Sequence, residues 1–370
     1  MKVLIVMDNL SCDSGVSSIV MSLYRNIKNV HFDFLIFKDN ENSYIEEIRK
    51  NGSKVYVLSS LLSPKTVIKA NKQTKAFFKE HSGEYDAVHL HSPTINEFTL
   101  KYAKMYGWKH RIIHSHSSMT SVNPIKSKVN AFLLRNAVKY ANHHWSCSNK
   151  ASEFLYGKDF VENNKIEVIK NAVDPSKYSF DSSKREMMRA KLNLEGKRVF
   201  IHVSNFSPIK NLSFLLPAIE QTVKCVKETR FLFVGDGPVK IELEQAVKEK
   251  GLSDYCLFVG RQTDVKSYLN VADALLLPSI KEGLPLTVIE AQANGLPCLV
   301  SDTVTRECDT GNARFFELNE QVWTDALLSF KALNDEQRTS AANEFIHSDF
   351  NIENEALRIE KLYMNMENLL

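Results

Sequence analysis

The residues with the clearest chemical potential in this chain are Glu282 and Glu290, two carboxylates placed around the start of a predicted helix. The apolar run Ala274–Leu277 before them is typical of a buried parallel strand, and Pro285 is expected at the first helical position, which tolerates a missing amide. Amides at a helix start attract phosphate groups, and carboxylates accept hydrogen bonds from sugar hydroxyls. The pattern therefore predicts a site for a ligand that combines a diphosphate with a polyol.

Four histidines form a second set of candidates, arranged as two His-x-His pairs at the ends of predicted strands: His89 with His91, and His114 with His116. Alternation along a strand places both members of a pair on one face, with the later one at or beyond the strand end. A strand-end histidine such as His116 can hydrogen-bond a substrate hydroxyl. The pairs could also suggest a metal site, but no carboxylate lies in either immediate loop, and we predict no metal.

Short apolar runs alternate with helical patterns along the chain, which is typical of parallel α/β proteins. The runs of the first series are Val3–Met7, Phe32–Phe37, Lys54–Leu58, Ala87–Leu90, Arg111–His114 and His144–Cys147. After a polar stretch, the second series comprises Arg198–Val203, Arg230–Val234, Cys256–Val259, Ala274–Leu277 and Cys298–Val300. We therefore expect two doubly wound domains, with ligands bound at the loops that follow the strands.

Composition places the chain among ordinary globular proteins. It has 370 residues, of which 44% are hydrophobic, and its net charge of +3 favours no particular electrostatic partner. The six cysteines are scattered without a Cys-x-x-Cys pair, so neither a disulfide framework nor a cysteine zinc site is indicated. No window approaches the ~20 apolar residues of a membrane span. A reduced, cytoplasmic chain is the expectation.

The block from Ala272 to Pro297 resembles the donor-site signature of retaining glycosyltransferases of family 4, which have the GT-B fold of two Rossmann-like domains. In that family two glutamates have seven residues between them, as Glu282 and Glu290 do here. The resemblance implies that Glu282 contacts the donor sugar near the reacting carbon and that Glu290 holds the ribose. It also implies that backbone at Gly283 and Leu284 meets the sugar and the phosphates.

Three further loops match family positions around the donor. The segment Ile201–Asn211 resembles the one that supplies a basic pair to the leaving diphosphate: Lys210 matches the lysine, but Asn205 stands at the usual arginine and offers only a neutral amide. Gly15, after the first strand, would let backbone approach a phosphate, although a serine precedes it where family members often have a second glycine. Backbone at Arg261 would meet the nucleotide base.

The resemblance spans nearly the whole chain and implies a hexosyltransferase with His116, Glu282 and Lys210 as its catalytic residues. His116 corresponds to the family's active-site histidine, and His91 is a second acceptor-side candidate. The implied donor is a nucleotide diphosphate sugar, a UDP-sugar foremost. Retention would follow from attack on the face from which the diphosphate leaves, with a diphosphate oxygen taking the acceptor's proton. The chain has no Asp-x-Asp motif, so we expect neither a metal nor a cofactor.

Two features concern the acceptor. Met1–Arg25 and His114–His116 are similar to bacterial capsule and exopolysaccharide members, whose acceptors are undecaprenyl-diphosphate-linked sugars. Residues 98–152 contain nine basic and no acidic residues, and apolar positions from Val129 to Tyr140 follow helical spacing. Such a helix suits an anionic membrane, at about 1 kcal/mol per basic residue, and a core helix with solvated lysines explains it equally well. Stacking aromatic residues are few, so nucleic acid is not an expected partner.

The expected domains are residues 1–175 on the acceptor side, residues 176–350 for the nucleotide sugar, and a terminal helix in residues 351–370 that crosses back onto the first domain. Two alternatives stay open at this point. A nucleotide-sugar-binding partner subunit without activity would explain Asn205 and Ser14. A nucleotide-sugar epimerase on the same fold would turn over the donor without any acceptor.

Overall fold

The computed structural model describes residues 1–59, 64–91, 97–116 and 136–367. The chain divides into two compact units. The first contains Met1–Ala172 and the C-terminal segment from Ile352, and the second contains Val173–Asn351. The division predicted after residue 175 falls inside a short helix, Pro175–Tyr178.

The first unit is built on a parallel sheet of seven strands in the order β3-β2-β1-β4-β5-β6-β7. The strands are β1 Lys2–Met7, β2 His31–Ile36, β3 Val55–Val57, β4 Ala87–Leu90, β5 His110–Ser115, β6 His143–Ser146 and β7 Glu167–Val168. The helices are α1 Gly15–Asn26, α2 Ile45–Lys50, α3 Pro64–Glu80, α4 Glu97–Met105, α5 Asn149–Tyr156 and α6 Lys158–Asn163. The strand order reverses between β1 and β4, which pair directly, so the loops after these two strands flank the usual ligand crevice of such sheets.

The second unit has a parallel sheet of six strands in the order β10-β9-β8-β11-β12-β13. The strands are β8 Arg198–Val203, β9 Thr229–Val234, β10 Cys256–Gly260, β11 Ala274–Leu277, β12 Cys298–Ser301 and β13 Ala313–Phe316. The helices are α7 Pro175–Tyr178, α8 Ser182–Lys191, α9 Leu215–Cys225, α10 Lys240–Glu249, α11 Val265–Val271, α12 Leu286–Ala293, α13 Glu320–Ser329 and α14 Asp335–Phe345. Three short 3-10 segments are Pro208–Lys210, Leu212–Phe214 and Arg306–Cys308. Here the order reverses between β8 and β11.

The terminal helix α15, Ile352–Glu367, belongs to the first unit. The Tyr363 hydroxyl lies 2.6 Å from His89 Nδ1, and the Glu360 carboxylate accepts hydrogen bonds from the backbone amides of Lys28 and Asn29. These contacts tie the end of the chain to its first domain. The predicted fold, with two doubly wound domains and a terminal helix that crosses back, is confirmed.

Several details differ from the sequence prediction. The strands β7 and β13 were missed, because β7 has only two residues and β13 is partly exposed along its length. Pro285 is the residue before α12 rather than its first residue, and a ψ of 108° keeps it outside the helix. Most of the predicted basic amphipathic helix, including Lys126, Lys128 and Arg135, lies outside the described residues. Within the described parts of the chain, no helix is both long and apolar enough to cross a bilayer.

Candidate active site

The loops after β8 and β11 of the second unit lie side by side at the reversal point of the sheet. The backbone amide of Ile280 donates to the Ile209 carbonyl at 2.9 Å, and the Asn211 side-chain amide donates to the Pro278 carbonyl at 3.3 Å. Asn211 itself lies in the left-handed region, with a φ of 56°, and connects the two 3-10 segments that follow β8. The paired loops bring one predicted residue from each strand end together.

Those two residues, Lys210 and Glu282, form an ion pair. Lys210 Nζ lies 2.6 Å from Glu282 Oε1, and the side chains are 17% and 14% exposed. Because both side chains are largely buried, water screens the attraction between their charges less than it would at the surface. Removal of one partner would therefore take away a counter-charge that solvent replaces poorly. The site therefore offers a fixed cation that can meet a diphosphate and a carboxylate that can accept hydrogen bonds from sugar hydroxyls. The structure brings these predicted residues together, and their roles in substrate binding stay predictions.

Helix α12 begins directly after this ion pair, at Leu286, and no side chain caps it. The side chain of Leu284 is buried and anchors the turn, so the backbone of Gly283 and Leu284 leads straight into the helix start. A helix N-terminus carries a partial positive charge that suits a phosphate group. The predicted phosphate-binding backbone thus lies beside the predicted cation.

Glu290 lies on α12 and accepts a hydrogen bond from the Tyr178 hydroxyl at 2.7 Å. Burial raises the pKa of Glu290 to about 7, against the opposing effect of the Tyr178 bond. Near neutral pH the carboxyl group is therefore present in both protonation states, one of which can also donate a hydrogen bond to a ribose hydroxyl. Sequence reasoning missed Tyr178, since it lies 112 residues from Glu290 and on another helix.

Two other predicted donor-site residues, Asn205 and Arg261, have exposed positions. Asn205 follows β8 and Arg261 follows β10, so both lie at the carboxyl edge of the parallel sheet. The Asn205 side-chain oxygen lies 3.5 Å from the Ser207 hydroxyl, within its own loop. Because Asn205 is neutral, Lys210 is the basic residue that this segment contributes next to Glu282.

The turn after β9 requires glycine at two positions, Gly235 and Gly237, because other backbone packs closely against them. A Cβ atom on Gly235 would lie 1.8 Å from the Ser204 carbonyl oxygen, and one on Gly237 would lie 2.6 Å from the Phe206 carbonyl oxygen. Both contacts are with backbone of the loop that leads to Lys210. Gly235 therefore has a structural role, because its missing side chain allows the Lys210 loop to follow its path.

The imidazole of His202, on β8, is buried inside the second unit. His202 Nδ1 lies 2.8 Å from the Leu276 carbonyl oxygen, which can only accept, so Nε2 accepts the Ser204 hydroxyl at 2.6 Å. Burial, with a smaller contribution from the Lys210 charge, lowers the pKa of His202 to about 3.

We predict that this histidine destabilises the fold as the pH falls below about 6.5, the pKa of an unfolded histidine. Between that value and the lowered native pKa, only the unfolded chain binds the proton, so His202 should lower the free energy of unfolding by about 2 kcal/mol at pH 5 relative to pH 7. Urea unfolding at both pH values should show a smaller pH dependence for His202→Gln than for the wild type. Parallel pH profiles for the two proteins would contradict the assignment.

In the first unit, the loop after β1 ends at Gly15, the first residue of α1. The Ser14 side chain accepts a hydrogen bond from the Ser17 amide at 3.3 Å and caps the helix. A Cβ atom on Gly15 would meet no described residue within 4 Å, so the described packing does not require glycine here. Ser14, which stands where family members often have a glycine, acts as the cap of this helix.

The two His-x-His pairs meet across β4 and β5 as one group, the histidine cluster: His89, His91, His114 and His116. Neighbouring ring centroids are 3.9 to 5.3 Å apart. His91 Nδ1 lies 2.8 Å from His116 Nε2, so one ring donates and the other accepts. Burial lowers the pKa of His116 to about 4, and the ring is neutral at pH 7. Alternation predicted the face that each pair occupies, but it gave no sign that the pairs touch.

Two family models match the chain one after the other. The model described as Glycosyltransferase Family 4 matches residues 14–177, and the model described as Glycosyl transferases group 1 matches residues 183–313. The chain belongs to glycosyltransferase family 4. The first match contains Gly15 and the histidine cluster, and the second contains Lys210, Glu282 and Glu290.

Curated relatives of this glycosyltransferase cover most of its length. EpsF of Bacillus subtilis, described as a candidate glycosyltransferase, is 28% identical over 80% of this chain and 78% of its own. The UDP-Gal:alpha-D-GlcNAc-diphosphoundecaprenol alpha-1,3-galactosyltransferase of Escherichia coli is 26% identical over 95% of this chain and 94% of its own. The similarity therefore extends through both units.

Solved structures show the same fold at lower identity. HepE from Anabaena, in complex with UDP, superposes with a TM-score of 0.80 at 17% identity and covers 99% of this glycosyltransferase and 100% of HepE. The apo form of the lipopolysaccharide outer core galactosyltransferase WaaB has a TM-score of 0.68 at 18% identity and covers 98% of this chain and 100% of its own. These neighbours establish the GT-B architecture of two parallel sheets.

Proposed function

We propose that this glycosyltransferase moves a hexosyl group from a UDP-sugar to a lipid-linked glycan during the synthesis of a bacterial surface polysaccharide. The observation that carries the proposal is the Lys210–Glu282 ion pair beside the start of α12, at the reversal point of the second sheet. The pair places a cation that can bind a diphosphate next to a carboxylate that can accept hydrogen bonds from a sugar.

Relatives support the choice of donor and acceptor. HepE has been solved with UDP and with UDP-glucose, and the Escherichia coli relative uses UDP-Gal and a diphosphoundecaprenol-linked sugar. A UDP-sugar and an undecaprenyl-diphosphate-linked glycan are accordingly the first substrates to test. The basic residues of segment 98–152 would favour contact with the anionic cytoplasmic face of the membrane, where such an acceptor is anchored.

The reaction we propose retains the anomeric configuration and requires no metal at the diphosphate. Lys210 and the amides at the start of α12 would stabilise the negative charge that develops on the leaving UDP. The acceptor hydroxyl would attack from the face that UDP leaves and pass its proton to a diphosphate oxygen, so no side-chain base is required. The sequence contains no Asp-x-Asp motif, which many metal-dependent sugar transferases use to hold an ion on the diphosphate.

The remaining side chains would position the substrates. Glu282 would accept hydrogen bonds from donor sugar hydroxyls, and Glu290 would hold the ribose with help from Tyr178. Neutral His116 would hydrogen-bond a hydroxyl of the sugar or of the acceptor. Family membership favours transfer over the epimerase and over the inactive partner subunit, and Asn205 remains compatible with transfer because Lys210 is retained.

A substrate panel tests this function. The purified protein is incubated with UDP- and GDP-sugars, with and without bacterial lipid extract, and release of UDP or GDP is measured. We expect UDP release that requires the lipid acceptor, persists in EDTA, gives a product with the anomeric configuration of the donor, and falls at least ~10²-fold in Glu282→Ala. Glu244→Ala, which alters an exposed glutamate of the same unit, should behave as the wild type.

Other outcomes would identify the alternatives. Donor binding without release under any condition would indicate the inactive partner subunit. Interconversion of the donor sugar without lipid would indicate the epimerase.

A further inference from the structure

The histidine cluster contains several buried ring nitrogens that protein groups leave unsatisfied. His89 Nε2, both ring nitrogens of His114, and His116 Nδ1 have no hydrogen-bond partner among the described residues. A buried polar atom without a partner costs about 1–3 kcal/mol, and native structures rarely place several side by side without a reason. The unsatisfied nitrogens of His89 and His114, whose rings also line a cavity, therefore indicate a bound species.

A cavity beside these rings has room for that species. Its volume is about 20 Å³, and His89, His91 and His114 line it together with Tyr363 and mainly apolar side chains. A space of this size holds one water molecule or one ion. Everything that lines it belongs to the first unit.

The arrangement of the three lining histidines matches the ligand set of a transition metal. One ring nitrogen from each of His89, His91 and His114 lies within 4.8 Å of the other two. Imidazole is a preferred ligand of Zn²⁺, whose Zn–N distances are about 2.0–2.1 Å, so small ring rotations would close the site. We propose that His89, His91 and His114 bind one divalent transition metal ion, Zn²⁺ foremost, inside the first unit.

The neighbours of the cluster can orient the ligating rings. The Tyr363 hydroxyl lies 2.6 Å from His89 Nδ1, and when Nδ1–H donates to it, Nε2 keeps its lone pair for the ion. When His91 Nδ1 donates to His116 Nε2, the tautomer of His91 has its lone pair on Nε2. Such outer hydrogen bonds fix the tautomer of a metal-binding histidine.

The position of the site suits an ion that holds elements of the first unit together. The ion would connect β4 and β5 directly, and through the His89–Tyr363 bond it would also link them to α15. It is distinct from the handling of the diphosphate in the proposed function, which is assigned to Lys210 and α12 of the second unit. Zinc would therefore stabilise the first unit without entering the transfer reaction.

Metal stoichiometry and a cobalt spectrum test the site without any activity measurement. The full chain, purified without a histidine tag and stripped of metal, is dialysed against Zn²⁺ or Co²⁺. We expect one ion per chain by elemental analysis, a visible Co²⁺ absorption that indicates nitrogen ligands, and a higher melting temperature with Zn²⁺. His114→Phe should lose all three effects, because it keeps the ring shape and removes both nitrogens.

Two further variants separate the site from general damage. Tyr363→Phe should weaken Zn²⁺ binding about 10–100-fold while leaving a folded protein. His144→Phe, on the neighbouring strand and outside the cluster, should bind Zn²⁺ as the wild type does. The proposal is overturned if the wild type binds no stoichiometric metal, which would leave a single water as the occupant, or if His114→Phe binds as much as His144→Phe. Should His114→Phe fail to fold, the wild-type stoichiometry and Tyr363→Phe still decide.

Discussion

Replacement of Lys210 by methionine should lower kcat for sugar transfer by about 10²–10³-fold. Methionine keeps most of the length of the lysine side chain but removes the charge that the site presents to the leaving diphosphate. Asn205 cannot compensate, because an amide carries no charge. The substitution also removes the positive charge of Lys210 Nζ, which lies 2.6 Å from the Glu282 carboxylate. Steady-state UDP release, with kcat and KM determined separately, measures the effect.

A double-variant cycle shows whether Lys210 and Glu282 act as a unit. If they do, the variant that combines Lys210→Met with Glu282→Gln should lose little more activity than either single variant. Lys224→Met is the matched control, since it breaks a 2.7 Å ion pair with Glu220 on the exposed surface of the same unit and should leave kcat unchanged. A Lys210→Met enzyme with wild-type kcat would exclude the proposed role of the lysine.

Sequence patterns located the Lys210 and Glu282 loops, because both follow buried parallel strands whose carboxyl ends lie at one edge of a sheet. They did not reveal the ion pair itself. That contact depends on the left-handed conformation of Asn211 and on the hydrogen bond from Ile280 to Ile209, which set the path of both loops. Residue types alone do not specify such a path.

The histidine cluster and Tyr178 show the same limit. Period-two alternation gave the face of each His-x-His pair, but the pairs meet because β4 and β5 align Leu90 with Ile113, and sequence does not state the register between strands. Tyr178 contacts Glu290 through tertiary packing, and no sequence pattern near either residue predicts this contact. The family resemblance identified the candidate positions, whereas contacts between residues distant in sequence could be found only from the fold.

Gly295, just after α12, should be far more sensitive to substitution by alanine than Gly251, the matching helix-end glycine of the second unit. The amide of Gly295 donates to the Gln292 carbonyl and the amide of Leu296 donates to the Ala291 carbonyl, the pattern of a Schellman helix end. Gly295 has a φ of 66°, and an added Cβ atom would lie 2.0 Å from the Arg338 carbonyl oxygen on α14. We expect Gly295→Ala to lower the free energy of unfolding by about 3 kcal/mol or more, from backbone strain and the collision together.

Gly251 provides the control that separates these two causes. It ends α10 with the same pair of hydrogen bonds and the same φ of 66°, but an added Cβ atom would meet no described residue within 4 Å. Gly251→Ala should therefore cost only the strain, about 1–2 kcal/mol, and the difference between the variants in urea unfolding measures the collision with α14. Because α12 also carries Glu290, a displacement forced by Gly295→Ala should raise KM for the donor, whereas Gly251→Ala should not. If the two variants lose the same free energy of unfolding, α14 moves away from the added methyl group without loss of stability, and the predicted collision is wrong.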